Sequence, residues 1–153
     1  DERMRRIGVV DTDYEMIHRA AYYVHQRVAE TYRRGRIFLA GDAAHINNPL
    51  GGMGMNGGIH DGLNLAEKLV RVWRGEAGDE EFDLYDRQRR PIALDFVQKA
   101  TLANKAMLEE TDPRIRRSKQ DELSRICNDP AAAREFLLHS SMIKTLERAA
   151  SIG

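Results

Sequence analysis

Hydrophobic and polar residues follow three different patterns along this chain, and each predicts a different kind of backbone. Across residues 16–29 apolar and polar positions alternate. Tyr22, Val24 and Gln26 would share one face of an extended segment, with Tyr23, His25 and Arg27 on the other. Gly35 marks a turn, and residues 36–40 form a short apolar run ending at Gly41, which predicts a buried strand. Residues 41–62 then hold seven glycines and Pro49, the composition of a loop. Beyond Met55 the period becomes helical. Met55, Ile59, Leu63, Ala66, Leu69, Val70 and Trp73 fall on one face, in a helix opening near Met55 and Asn56 and ending at Gly75 and Gly78.

The rest of the chain reads as helix. A second long helix is expected over residues 79–111, with Phe82, Tyr85, Ile92, Phe96 and Val97 as its apolar stripe. Glu80 and Glu81 suit its first turn, and Pro91 should kink or break it. Asp112-Pro113 and Asp129-Pro130 each look like a helix start with proline at the first position. The second of these predicts one helix running through Phe136, Leu137, Met142, Ile143 and Leu146. Residues 1–13 read as the tail of an earlier element.

Composition narrows the function classes. With 24 basic and 24 acidic residues the formal net charge is zero, which gives no general pull toward nucleic acid or anionic membrane. The single cysteine, Cys127, excludes an intrachain disulfide and fits a reducing, cytoplasmic setting; it reads as a small buried residue. No apolar run approaches the ~18 residues of a membrane span. The chain opens on Asp1 rather than Met, and its motif content leads us to expect a missing upstream part.

Gly52-Met53-Gly54-Met55-Asn56-Gly57 fits the dinucleotide pattern G-x-G-x-x-G, but we reject that reading. The pattern needs its first glycine directly at the end of a strand, and here about a dozen residues separate it from Ala40. The surrounding stretch carries better-defined chemistry. Asp42 follows a glycine at a strand tip, the position where open α/β sheets meet their ligands, and a carboxylate there accepts from hydroxyl donors. Gly51, Gly52 and Gly54 let a flat molecule lie against bare main chain. Met55 and Asn56 start a helix, whose N-terminal amides and dipole favour negative charge on a planar heterocycle.

Taken together, Gly41-Asp42-Ala43-Ala44-His45, then Pro49, then Gly52-Met53-Gly54-Met55-Asn56, resemble the second FAD-binding motif of the class A (single-component) FAD-dependent aromatic hydroxylases, the para-hydroxybenzoate and phenol hydroxylase-like family. Asp61, Asn64, Leu65, Ala66 and Leu69 fit the family's helix, and residues 85–91 resemble its Y-x-x-x-R-x-P segment. The specific match covers about a quarter of the chain. The resemblance implies that Gly41 and Asp42 belong to the cofactor site, with Asp42 accepting hydrogen bonds from the ribityl chain of FAD. It also implies that Gly52 belongs to the cofactor site, that the main chain at Gly54, Met55 and Asn56 faces the N1–C2=O2 edge of the flavin, and that the carbonyl region at Pro49 lies by C4a. No individual catalytic side chain is implied. The implied reaction is reduction of FAD by NAD(P)H, addition of O2 to give a C4a-hydroperoxide, and transfer of one oxygen atom to a small aromatic or phenolic substrate.

The resemblance is incomplete, because the family's N-terminal G-x-G-x-x-G and later D-G motifs are not present. The expected fold is therefore an α/β fragment: a few strands and a mainly helical C-terminal half, completing a Rossmann-like FAD-binding domain. Residues 1–30 would be the tail of the substrate-domain sheet, 31–78 the second FAD motif, and 79–153 the C-terminal helices. The remainder would come from the missing N-terminal part or a partner chain, with a homo-oligomer also compatible. The alternatives are a non-catalytic interaction module with a relic motif, or a flavin epoxidase, reductase or halogenase of the same fold. Plainer structural roles are expected for several residues: a hydrogen-bonding role for His45, a solvated or capping Asp61, packing for Tyr22, Tyr23 and Tyr32, and loop packing for Met53 and Met55. Arg87, Arg89 and Arg90 would lie on a helix surface or in a buried ion pair. No metal site is expected, since the histidines lack ligand spacing.

Overall fold

The computed structural model describes residue 8, residues 17, 18, 20 and 21, and residues 23–153. In the predicted alternating segment Met16, Arg19 and Tyr22 lie outside the described residues. Its strand is limited to β1 (Arg27–Val28), and Tyr23 and Val24 are exposed. β2 (Arg33–Arg34) and β3 (Ile37–Phe38) form an antiparallel hairpin in which Arg33 faces Phe38 and Arg34 faces Ile37. Gly35, at φ +61°, turns it. The apolar run at 36–40 is thus a short hairpin strand rather than a buried one. Phe38 is half-buried, but Ile37 is 70% exposed because β2 covers only one edge. β4 (His45–Ile46) returns antiparallel to β1.

Helix α1 (Met53–Trp73) starts two residues earlier than its apolar spacing suggests. Its buried face is Met53, Gly57, Asp61 and Lys68. The predicted apolar stripe points outward, with Met55, Ile59, Leu63, Leu69, Val70 and Trp73 all exposed. The periodicity found the helix, but the apolar stripe is not the face that packs on this chain. Gly57 and Gly58 explain the inward face. A Cβ at Gly57 would sit 3.3 Å from the His45 ring, and one at Gly58 would sit 3.1 Å from Gly41 Cα. The helix backbone therefore lies directly on the turn that follows β3.

α2 (Glu80–Ile92) contains Pro91 in its last turn. The chain continues without interruption into a wide π-helical stretch, Ala93–Gln98, and then α3 (Lys99–Glu109). Pro91 thus loosens the long helix instead of ending it. It lacks the N–H of the i→i−4 bond, and the ladder just beyond it shifts register. α4 (Pro113–Asn128) is capped by Asp112, which accepts from the N–H of Arg114. The expected fourth helix is two: α5 (Pro130–Ser140), capped by Asp129, and α6 (Ile143–Ala150). Met142 separates them at φ +65°, a conformation that disfavours a side chain. Burial of that side chain against Met53 and Val97 offsets the strain. Cys127, expected to be buried, is exposed on α4.

The main core lies where the hairpin meets α2. Tyr32, Ala44, Tyr85 and Ala93 pack with Val28, Ala29, Phe38, Leu39 and Leu65. Phe38 meets Phe82 edge-on at 5.0 Å between centroids. Tyr85 Oη donates to Leu39 O at 2.7 Å, and Asp86 Oδ1 accepts from the Tyr32 N–H at 2.8 Å. α2 therefore fixes the end of β3, which leads into the glycine-rich stretch.

Candidate functional site

β3 ends at Phe38, and after Leu39 and Ala40 a tight turn over Gly41–Ala43 follows. Gly41 sits at φ +57°, which a Cβ would strain, and its carbonyl accepts from the Ala44 N–H at 2.8 Å. Asp42 is on this turn with its side chain exposed, and makes no hydrogen bond among the described residues. The next loop is held from behind. Asn48, 5% exposed, donates to Gln26 Oε1 (2.9 Å) and to Thr101 O (3.2 Å), and its own Oδ1 accepts from the Leu50 N–H at 3.0 Å. Asn104 Nδ2 donates to Leu50 O at 3.3 Å. α3 thus grips the loop from 47 to 52 through side-chain amides and a buried threonine.

The chain then enters α1 through Gly51 and Gly52, both at positive φ. The Gly52 N–H donates to Pro49 O at 3.1 Å. Gly51 sits at φ +106°, which strains any side chain, and a Cβ there would lie 2.6 Å from Asn104 Nδ2, so that amide would have to shift. Among the described residues no side chain caps α1, and its first turn contains no acidic residue. With Met53 as the first helical residue, the N–H groups of Met53, Gly54 and Met55 have no intrahelical carbonyl to meet. Met55 and Asn56 present their side chains outward. Met53, expected in loop packing, instead joins the core with Val97 and Met142. The structure therefore brings the predicted residues to one end of α1: the Gly41–Asp42 turn lies against Gly58, with Pro49, Gly52, Gly54, Met55 and Asn56 at the helix start beside it.

Beneath that surface is a buried charge cluster that the periodicity did not reveal. Asp61 is 1% exposed, not solvated as expected. Its Oδ2 accepts from the Gly41 N–H at 3.1 Å and lies 2.8 Å from His45 Nε2, and its Oδ1 accepts from Arg89 Nε at 2.8 Å. Burial alone would push the Asp61 carboxyl up. Hydrogen bonds from His45 and Arg89, with the Arg89 charge, outweigh burial and hold it below the usual carboxylate range. His45 thus has the structural hydrogen-bonding role expected of it, and Arg89 the buried ion pair. Arg90 Nε donates to Ala29 O at 2.9 Å, while Arg87 is exposed. Tyr32 is buried as expected, its ring stacked on His45 at 6.3 Å, and burial pushes its phenol up. The available signal for Asp61 was a lone carboxylate one turn after Gly57 and Gly58, on the face that the small residues must bury. Asn48, Thr101 and Asn104 left no such signal. Among the described residues no group of histidine, cysteine and carboxylate side chains could hold a metal ion.

Residues 2–100 match the FAD binding domain family, and the chain belongs to it. Para-nitrophenol 4-monooxygenase of Pseudomonas sp. (strain WBC-3) is 40% identical over 140 residues, covering 90% of this chain and 35% of that protein. A putative polyketide hydroxylase of Streptomyces halstedii is 50% identical over 93 residues, 61% of this chain and 17% of that one. Among solved structures, p-nitrophenol 4-monooxygenase PnpA from Pseudomonas putida DLL-E4 superposes with a TM-score of 0.72 at 40% identity, over 78% of this chain and 31% of that one. The rebeccamycin biosynthetic enzyme RebC with reduced flavin gives 0.65 at 34% identity, over 81% of this chain and 26% of that one. The chain thus spans about a third or less of the proteins it matches.

Proposed function

We propose that this chain is the flavin-holding C-terminal segment of an FAD-dependent aromatic hydroxylase. It would work with the remainder of a Rossmann-like FAD-binding domain that supplies the ADP half of the cofactor site. One observation carries the reading: Asp42, a carboxylate with no hydrogen-bond partner among the described residues, sits on a turn packed against the second turn of a helix whose first turn has no side-chain cap among those residues and no acidic residue of its own. These residues fit a flavin. Asp42 accepts from ribityl hydroxyls. The amides of Gly54 and Met55, with the main chain at Asn56, offer donors and the positive end of the dipole to the N1–C2=O2 edge. The Pro49 turn borders the reacting face. When bound, the flavin supplies the electron path from NAD(P)H to O2 by which one oxygen atom enters an aromatic ring.

The chain's own contribution is positional. Gly51 and Gly52 bring main chain close to a planar ring without intervening side chains, and Asn48 and Asn104 hold that loop in place. The outward stripe of α1 would pack against the rest of the FAD-binding domain, which also covers the open edge of β3. The relatives' greater length and the exposure of Leu63 (67%) and Trp73 (91%) support this. An aromatic substrate is the class that fits the relatives' names, which range from p-nitrophenol and a nitrocatechol to polyketides and tetracenomycins.

The test is FAD retention in the complete protein. Asp42→Ala is expected to weaken FAD binding by about 1–3 kcal/mol, the scale of a lost charge-assisted hydrogen bond. This is measured by titrating deflavinated protein and following flavin fluorescence. Unchanged affinity would remove Asp42 from the site. Phenol-dependent NAD(P)H oxidation with recovery of hydroxylated product tests the reaction; oxidation with no oxygen transfer would leave a flavin protein of other chemistry.

A further inference from the structure

We infer that Asp61 is the positioning residue for Asp42: its buried carboxylate holds the chain on both sides of the ribityl-binding residue and so sets where the Asp42 carboxylate stands. This inference rests on the flavin reading above.

The geometry is specific. Asp42 lies between Gly41 and His45, and both donate to the same oxygen of Asp61, Gly41 through its main-chain N–H and His45 through Nε2. The other oxygen is oriented by Arg89 from α2, itself 2% exposed. Three donors from three elements therefore converge on one carboxylate of α1. Behind the Gly41 turn lies the bare backbone of Gly58, one helical turn before Asp61. The turn has no side chain of its own wedged against α1 at that point, so the hydrogen bonds to Asp61 fix its distance and tilt. Asp61 touches no flavin atom in this account and acts through the loop.

An amide cannot replace this carboxylate. In Asp61→Asn one end of the side chain becomes a donor, so it faces either Arg89 or the Gly41 N–H with a donor against a donor. The fold can accept that loss, but the Asp42 turn is no longer fixed.

The experiment uses the complete flavin-loaded protein carrying this chain, with Asp42→Ala, Asp61→Asn and the double variant. The readouts are FAD affinity of the deflavinated protein, the visible spectrum of bound flavin, and the melting temperature. Asp61→Asn is expected to lose on the order of tenfold in FAD affinity and to shift the flavin bands. In the Asp42→Ala background it should cause almost no further loss, because both changes remove the same contact. Full, additive loss in the double variant, or wild-type affinity and spectrum beside a lowered melting temperature, overturns the inference: Asp61 would then only join α1 to α2. If Asp42→Ala alone leaves affinity unchanged, the role given to Asp42 in the flavin reading fails instead, and the inference with it. Should Asp61→Asn not fold, Asp61→Glu keeps the charge and displaces it by one methylene. The same affinity loss and spectral shift are expected there, and wild-type values would overturn the inference.

Discussion

A single ionised carboxylate at the depth of Asp61 is stable only because its charge is answered. An isolated buried carboxylate costs several kcal/mol, and a pair broken by removing one partner leaves that cost exposed. Arg89→Met should therefore destabilise the chain by about 3–5 kcal/mol, read from urea unfolding monitored by circular dichroism. A change within ~0.5 kcal/mol would mean that His45 and Gly41 suffice to hold the charge. The same cluster sets an acid limb. The folded carboxyl sits below its ordinary value of 3.8, so its contribution is fully present above that value and is lost as the pH falls through the lowered one. The melting-temperature gap between the wild-type chain and Asp61→Asn should be wide near pH 7 and close as the pH drops below 3.8. A gap independent of pH would show that the carboxylate's charge is not what stabilises this site. The Y-x-x-x-R-x-P spacing singled out Arg89, but its partner could not be read from spacing: the pair joins positions 28 apart in sequence.

At the scale of elements, α1 is a helix whose function depends on residues that weaken helices. Its four glycines between 54 and 62 occupy positions of very different consequence. Gly58 abuts Gly41 Cα, where an added Cβ would sit at 3.1 Å, whereas Gly62 has nothing within 4 Å. In a helix interior glycine costs roughly 0.5–1 kcal/mol relative to alanine. In the isolated chain, Gly62→Ala is therefore expected to stabilise by about that amount. Gly58→Ala should destabilise, because the neighbour that must yield is backbone held by Asp61. Thermal melts of the two variants check this, and equal shifts would mean that the turn moves freely. The contrast also shows what was legible in the sequence. The strand–loop–helix order and the proline starts of α4 and α5 follow from local chemistry and are legible in it, whereas Pro91, expected to kink or break the long helix, leaves it continuous through a π-helical stretch. The facing of α1 was not legible, because an apolar stripe indicates that a face will be buried without saying by what. The break at Met142 was missed for a related reason: its left-handed backbone is stabilised by tertiary burial, and no turn residue marks it.

At the scale of the whole molecule, the outward face of α1 decides how this chain can exist. Met55, Ile59, Leu63, Leu69, Val70 and Trp73 lie in water, and a cavity of about 370 Å³ opens between Trp73, Leu69, Val72, Phe38, Phe82 and Arg36. Fully burying an aliphatic or aromatic side chain is worth about 1.5–3 kcal/mol, so a surface that covers several of these residues has enough driving force to assemble without new ion pairs. The isolated chain should accordingly bind a hydrophobic dye and self-associate as its concentration rises. Supplying the N-terminal part of the FAD-binding domain should abolish both. The decisive variant is Leu63→Lys with Trp73→Ser. Both residues are exposed, so substitution should change the stability of the isolated chain by no more than ~0.5 kcal/mol while reducing dye binding. In the complete protein the same pair should lower the melting temperature and weaken FAD retention, because a lysine would then sit in an interior that must exclude it. Equal stability in both settings would mean that α1 faces solvent throughout, and that the remainder of the flavin site approaches from another side.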